Sequence, residues 1–184
     1  MSYLYFCLLS SILFFPCVAS TIQNASREDN AFVETGNKHK QITEIILRAE
    51  RTYGIDDGYL QAIVKVESGY RPYAINAKKR TVYFKTKSDA EKFIRATLPT
   101  CKNISIGCCQ LQYRAHHKSF ESINDMLDPA KNIEYAASLL SVLYKRHKSW
   151  EQAIKMYHTS KPKYHCKYYK RVMNEYRKIK GQNK

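Results

Sequence analysis

Apolar residues recur at intervals of three and four along most of the chain beyond residue 40, and this spacing constrains the fold more than any other feature. Side chains at these intervals lie on one face of an α-helix. The first set is followed by Gly54, a C-terminal stop signal, and comprises Ile42, Ile45, Ile46, Ala49 and Tyr53. Hydrophobic residues make up 44% of the 184 residues, enough for a packed core, so the composition excludes global disorder.

Capping side chains precede the later apolar sets. They predict helix starts at Asp56 or Asp57, at the capping box Ser88–Glu91, at Asp128–Pro129 and at the capping box Ser149–Gln152. A last helix is predicted from about Tyr164 to Ile179, and residues 81–85 are the only good strand candidate. The pattern therefore predicts a single, mainly α-helical domain with a small β-containing insert.

The first 20 residues carry no charged side chain and contain an apolar run from Leu4 to Phe15. Small residues beyond this run favour signal-peptidase cleavage after Ala19 or Ser20. The run is short for a membrane-spanning helix, which usually needs ~20 residues, so a signal peptide at 1–20 is favoured over a membrane anchor. We therefore expect a periplasmic or secreted protein with a flexible lead-in at 21–38 and a folded domain at 39–180.

Export would place the remaining cysteines in an oxidising compartment. These are Cys101, Cys108, Cys109 and Cys166. Four cysteines in such a compartment predict two disulfides, for which three connectivities are possible. A zinc site is the alternative, but the cysteine spacing does not fit paired metal-binding knuckles. We predict no metal and no cofactor.

Glu67 is the residue best placed to carry chemistry. It follows Leu60, Ile63 and Val64 at helical spacing, so its side chain points along an apolar stripe. Loss of water and the negative end of the helix dipole both favour the protonated carboxylic acid at such a position. A protonated carboxyl group is what a general acid for a glycosidic oxygen requires. The alternative is a helix-end glutamate that reaches solvent, and periodicity alone does not separate the two.

Three blocks in order resemble the SLT-type lytic transglycosylases, a lysozyme-like family, and they span roughly residues 40–180. The first is similar to the E-S-x-x-x-P-x-A signature and runs from Glu67 to Ala74. The second, Ser105–Leu111, resembles the S-x-G-x-x-Q-hydrophobic motif. The third comprises Asp128-Pro129, Asn132-Ile133, Trp150, Ala153 and Tyr157-His158. Each block is weak alone, but three in this order are a strong signal. The Tyr-His pair and the long stretch 77–104 resemble an exported proteobacterial branch.

The resemblance implies a lysozyme-like helical domain of the goose-lysozyme or SLT type, without a cofactor. It also implies cleavage of the β-1,4 bond between N-acetylmuramic acid and N-acetylglucosamine in peptidoglycan, leaving 1,6-anhydro ends. Glu67 would be the single catalytic acid and base, and Tyr157 would hydrogen-bond its carboxyl group. The substrate-binding residues implied are Ser68, Ser105, Gly107, Gln110, Tyr157 and His158.

The formal net charge of +15 indicates an anionic partner. Residues 155–184 contain ten Lys or Arg and one acid, Glu175. No nucleic-acid-binding motif accompanies this charge, and export would separate the chain from nucleic acid. We therefore expect a monomer that adheres to peptidoglycan glycan strands and envelope polyanions, with a secretion or conjugation machine as a candidate partner. The alternative is an ordinary solvated helix face.

Three other functions compete with this interpretation. A hydrolytic muramidase of the same superfamily would leave reducing ends in place of anhydro ends. A non-catalytic wall-binding module would tolerate loss of Glu67. A basic nucleic-acid-binding protein would have to remain in the cytoplasm, which fractionation would reveal.

Overall fold

The computed structural model describes residues 36–159 and 161–182. The chain divides into two compact units, residues 1–37 and 38–184, and the fold given below is that of the second unit. The predicted signal peptide at 1–20 and nearly all of the predicted lead-in lie outside the described residues. Within the described ranges, no helix has both the length and the apolar character that crossing a bilayer would require.

Helices form most of this unit. They are α1 (residues 38–53 of this unit), α2 (Tyr59–Ser68), α3 (Lys87–Thr97), α4 (Tyr113–His116), α5 (Ile123–Met126), α6 (Pro129–His147), α7 (Trp150–His158) and α8 (His165–Gln182). Short 3-10 turns at His117–Ser119 and Pro162–Tyr164 connect some of them. The predicted mainly α-helical, lysozyme-like architecture is confirmed, including the long helix after Asp128 and the last helix.

A small antiparallel sheet accounts for the β content. Its strands are β1 (Ala74–Ala77), β2 (Arg80–Tyr83), β3 (Ile104–Ile106) and β4 (Leu111–Gln112), in the order β2-β1-β3-β4. Only β2 corresponds to the predicted strand at 81–85. The other three strands are two to four residues long, too short to show an alternating pattern in the sequence.

The core is built from the apolar stripes of α2, α6 and α8. Leu60 and Ile63 on α2 and Ile133 on α6 have no exposed surface, and Val172 on α8 is equally buried. Helix α2 packs against α8, and α6 packs against α7. This packing holds the C-terminal end of α2, which carries Glu67, between the sheet and the last two helices.

Two predicted helix caps are confirmed and two are wrong. The side chain of Asp128 accepts from the Lys131 amide, and that of Ser149 accepts from the Gln152 amide. Helix α3 begins earlier than the predicted box at Ser88, because Thr86 accepts from the Asp89 amide. Helix α2 has Gly58 at its N-cap and no side-chain cap from its own segment, so neither Asp56 nor Asp57 has the predicted role.

Glu50 of α1 replaces the missing cap of α2. One of its carboxylate oxygens accepts from the Gly58 and Gln61 amides, each at 3.1 Å. These are free donors of the first helical turn, so a residue distant in sequence satisfies them. Glu50 is fully buried, and burial raises the pKa of its carboxyl group despite these hydrogen bonds.

The predicted disulfides are not formed. All four cysteines in the described part of the chain are free thiols. Cys108 and Cys109 lie in the apolar core, whereas Cys166 is exposed on α8. Burial raises the pKa of Cys108 to about 12, so this thiol stays protonated and packs as a small apolar side chain.

Candidate active site

A cleft of about 450 Å³ lies where the end of α2, the sheet and the end of α7 meet. Glu67 lines it from α2, and three polar residues line it from the sheet. The polar residues lining it are Glu67, Asn76, Ser105, Gln110, Gln112, His116, Tyr157, His158 and Thr159. The cleft therefore contains five of the seven predicted site residues, drawn from all three sequence blocks.

Glu67 is the penultimate residue of α2, and 15% of its side chain is exposed. The helix ends at once after it, because Gly69 adopts a left-handed conformation and its amide donates to the Lys65 carbonyl. This ending leaves the Glu67 carboxyl group at the wall of the cleft instead of inside the core. Glu67 therefore lies on the apolar stripe of α2, as predicted, and its carboxyl group is also accessible to a ligand.

His158 faces Glu67 across the cleft. Its Nδ1 atom lies 3.9 Å from Oε1 of Glu67, too far for a hydrogen bond but close enough for attraction when the ring is protonated. The ring also stacks on Tyr168 of α8, with centroids 4.2 Å apart and planes inclined by 9°. His158 therefore joins the end of α7 to α8 beside the carboxyl group.

Tyr168 was missed by sequence reasoning. Its side chain is buried, and its hydroxyl has no hydrogen-bond partner among the residues that the structure describes. Burial, and then the neighbouring Glu67 carboxylate, raise the pKa of Tyr168 well above its ordinary value. The phenol stays protonated and is a free donor next to Glu67. No pattern in the sequence relates positions 67 and 168.

Tyr157 lines the cleft, but its predicted hydrogen bond to Glu67 is not formed. Its hydroxyl donates instead to the backbone carbonyl of Cys109, at 2.9 Å. Burial raises the pKa of Tyr157 well above its ordinary value, so the hydroxyl remains a donor. Tyr157 therefore ties α7 to the turn before β4 and positions that wall of the cleft.

A row of polar side chains crosses the sheet beside Glu67. Asn76 on β1 pairs with Ser105 on β3, and Ser105 pairs with Gln112 on β4. Directly paired residues project from the same face of a sheet, so the three form one continuous polar surface in the cleft. Their amide and hydroxyl groups suit hydrogen bonds to sugar hydroxyl and N-acetyl groups.

Gln110 continues this surface. It adopts a left-handed conformation, with φ of 50°, and its side-chain amide donates to the carbonyls of Ala74 and Gly107. These two bonds fix the side chain at the edge of the cleft. The predicted substrate-binding role remains compatible with this position, because the carbonyl oxygen of the Gln110 amide is not used by either bond.

Two predicted site residues, Ser68 and Gly107, do not line the cleft. Ser68 is buried and donates to the Val64 carbonyl. Gly107 has φ of 83°, and a Cβ atom there would lie 2.5 Å from the side-chain nitrogen of Asn132. Both positions lie behind the cleft surface, and their predicted contact with substrate stays a prediction.

Asn132 is a buried polar residue that organises the turn below the cleft. Its side chain accepts from the Cys109 amide and donates to the carbonyls of Ile106 and Met126. The close approach of Gly107 leaves room for this amide. The sequence had indicated Asn132 only as part of a resembling block, not as the residue that joins α6 to β3.

Glu67 is the only carboxylate among the described residues that line the cleft. Nor does any group of three or more His, Cys, Asp or Glu side chains in residues 36–159 and 161–182 form a metal-binding cluster. The cleft therefore contains one carboxyl group, beside a histidine and a buried phenol, and a neutral polar surface on the sheet. It can transfer a proton to and from a bound neutral ligand.

Comparison with known proteins identifies one family. The transglycosylase SLT domain matches residues 44–176, which include every residue named above as lining the cleft. No curated protein and no solved structure matches the chain significantly.

Proposed function

Because this chain belongs to the transglycosylase SLT domain family, we propose that it is a lytic transglycosylase that cleaves peptidoglycan. The bond would be the β-1,4 linkage between N-acetylmuramic acid and N-acetylglucosamine, and the product would carry a 1,6-anhydro end. The family match covers most of the chain, and the cleft geometry supplies the groups that this reaction needs.

The reaction requires one group that first gives and then takes a proton. Protonated Glu67 donates to the glycosidic oxygen as the bond from that oxygen to C1 of the muramoyl residue breaks. The resulting Glu67 carboxylate accepts the proton of the muramoyl 6-hydroxyl as its oxygen attacks C1. Glu67 ends protonated, and no water is consumed. The attacking hydroxyl belongs to the same sugar, so proximity replaces activation by a second residue.

The single carboxylate of the cleft is the observation that carries this proposal. Hydrolysis with two carboxyl groups needs a second one about 5–10 Å across the scissile bond, to act as nucleophile or to activate water. Glu67 has no such partner among the described residues of the cleft. This supports the intramolecular route over a hydrolytic muramidase.

Tyr168 and His158 would stabilise Glu67 while it is ionised. The Tyr168 hydroxyl is an unused buried donor, and a hydrogen bond to a charged acceptor is stronger than one to a neutral acceptor. Protonated His158 would add an attraction at 3.9 Å. Both groups lie beside Glu67, so their proposed role is to position and tune the acid.

Replacement of Glu67 by Gln tests the proposal. Glu67→Gln removes the transferable proton at nearly constant volume, so release of anhydro-muropeptides from purified sacculi should fall at least about a hundredfold while folding is unchanged. Glu44→Gln is the matched control, because Glu44 is an exposed carboxylate on α1 outside the cleft. Products are identified by mass spectrometry.

Each competing function has its own result in this experiment. Reducing ends released by the natural protein would establish a muramidase. Wall binding without any product, unchanged in Glu67→Gln, would establish a non-catalytic module. Equal loss of activity in Glu67→Gln and Glu44→Gln would contradict the assigned role of Glu67.

We also propose that the protein is exported and acts in the periplasm or outside the cell. The uncharged, apolar segment before Ala19 supports this proposal. Opening of the wall for a secretion or conjugation machine would suit such an enzyme, and the proteobacterial branch stays a prediction. N-terminal sequencing of the protein recovered from its host should find a chain that begins after Ala19 or Ser20, and an intact Met1 would contradict cleavage.

A further inference from the structure

The cleft continues beyond the polar row of the sheet into a second cavity of about 700 Å³. Its lining residues are Cys101, Lys102, Asn103, Gln112, Arg114 and Ala115. Gln112 and Ala115 line both cavities, so the two form one groove. Strands lie about 4.8 Å apart, so the row from Asn76 to Gln112 spans about 10 Å before the groove reaches its far end.

Two cations without partners lie at this far end. Lys102 and Arg114 are both exposed, and neither has an ion pair or hydrogen bond with any residue in the described part of the chain. Some other cations do have partners: Lys178 pairs with Glu175, and Arg171 donates to the Val66 carbonyl. What distinguishes Lys102 and Arg114 is that they line the same cavity. No carboxylate lines this part of the groove among the described residues. The far end is therefore a positive site open to an anion.

The two parts of the groove differ in the chemistry that they can recognise. The polar row near Glu67 is neutral and suits sugar hydroxyl and amide groups. Lys102 and Arg114 suit carboxylates, and the Arg114 guanidinium can bind a carboxylate through two parallel hydrogen bonds. In peptidoglycan, carboxylates are carried by the stem peptides attached to the muramoyl residues of the strand.

We propose that Lys102 and Arg114 bind carboxylates of a stem peptide on the strand whose glycan lies along the polar row. The enzyme then selects strands with free stem carboxylates over strands in which those carboxylates are blocked. This inference rests on the proposed function, because it assumes that the groove holds peptidoglycan. It assigns a specificity determinant at a distance from the bond that is cleaved.

The test compares a double variant with a matched control on two substrates. Lys102→Gln with Arg114→Gln removes both cations of the site. Lys145→Gln with Arg146→Gln removes the same two charges from the exposed end of α6, outside the groove. The substrates are soluble strands with free stem carboxylates and the same strands with those carboxylates blocked as methylamides. Removal of the stems by an amidase would not serve, because it leaves a lactyl carboxylate on each muramoyl residue.

The double variant should raise KM for strands with free stem carboxylates roughly three- to tenfold, as expected for two exposed ion pairs. Its KM for strands with blocked carboxylates and its kcat on both substrates should match those of the control. High salt should remove the difference, because exposed ion pairs are screened.

Three outcomes would overturn the inference. The double variant could behave like the control on strands with free stem carboxylates. It could lose affinity equally for both substrates. The natural protein could show the same KM for both kinds of strand. If the natural protein releases no anhydro product from either substrate, the proposed function itself fails. Circular dichroism of both variants separates loss of binding from loss of folding.

Discussion

Replacement of Gly107 by Ala should be among the most damaging small substitutions in this protein. Gly107 lies in the turn between β3 and β4 with φ of 83°, a region that costs an L-residue about 1–2 kcal/mol. The added Cβ would also lie 2.5 Å from Nδ2 and 2.7 Å from Cγ of Asn132, closer than real Cβ contacts. The buried Asn132 amide would have to move.

The magnitude follows from what Asn132 would lose. Its side chain makes three buried hydrogen bonds, with the Cys109 amide and the carbonyls of Ile106 and Met126. Each contributes about 0.5–1.5 kcal/mol net, so with the backbone strain the variant should lose about 3–6 kcal/mol of unfolding free energy. That is a large share of the ~5–15 kcal/mol that stabilises a typical domain.

Gly54→Ala is the control that separates strain from steric conflict. Gly54 also has positive φ, 63°, but nothing lies within 4 Å of a Cβ added there. It should lose only about 1–2 kcal/mol, the cost of the backbone conformation. The measurement is urea-induced unfolding of both variants, with the slope checked for constancy. Equal losses in the two variants would refute the argument from Asn132.

Two further predictions concern buried polar groups, one beside Glu67 and one at the opposite end of α2. Tyr168→Phe should lower kcat by about tenfold, because it removes the donor proposed to stabilise Glu67 while that group is ionised. Thermal stability should not fall, because the hydroxyl removed is buried and unpaired in the resting structure. An unchanged kcat would contradict this role. Glu50→Gln concerns a carboxyl group whose pKa burial raises above 4.5 in the folded state. The stability that this group contributes is complete below about pH 4.5 and is lost as pH rises through the folded pKa. Urea titrations measure the unfolding free energy of Glu50→Gln minus that of the natural protein. This difference should increase as pH rises from 4.5 to 8, because the natural protein loses the contribution of its protonated Glu50. A constant or falling difference would show that the pKa of Glu50 is not raised in the folded state.

Local signals predicted much of the fold because they act within one segment. Asp128 and Ser149 cap the helices that follow them, and Gly69 ends α2, as the sequence indicates. The cap from Glu50 to Gly58 was not predictable in this way, because it joins two helices. Strands of two to four residues likewise carry no periodic pattern and form only through pairing.

The candidate site likewise combines a residue that local sequence indicates with residues that only tertiary packing brings together. Glu67 could be selected because its position on an apolar stripe is local information. Its neighbour Tyr168 lies 101 positions later in the sequence, and only the packing of α8 against α2 brings the two together. The bond from Tyr157 to the Cys109 carbonyl was likewise unforeseen, because the sequence does not reveal which acceptor a buried hydroxyl finds.

The two faces of α8 differ in their surroundings, because one is buried against the domain and the other is exposed to solvent. Its inner face places Tyr168 beside Glu67 and Val172 in the core, whereas Lys167 and Lys170 project outward. Substitution of the outer cations would therefore change the surface charge without disturbing the packing beside Glu67. Loss of the helix, by contrast, would remove the ring on which His158 stacks together with the charge.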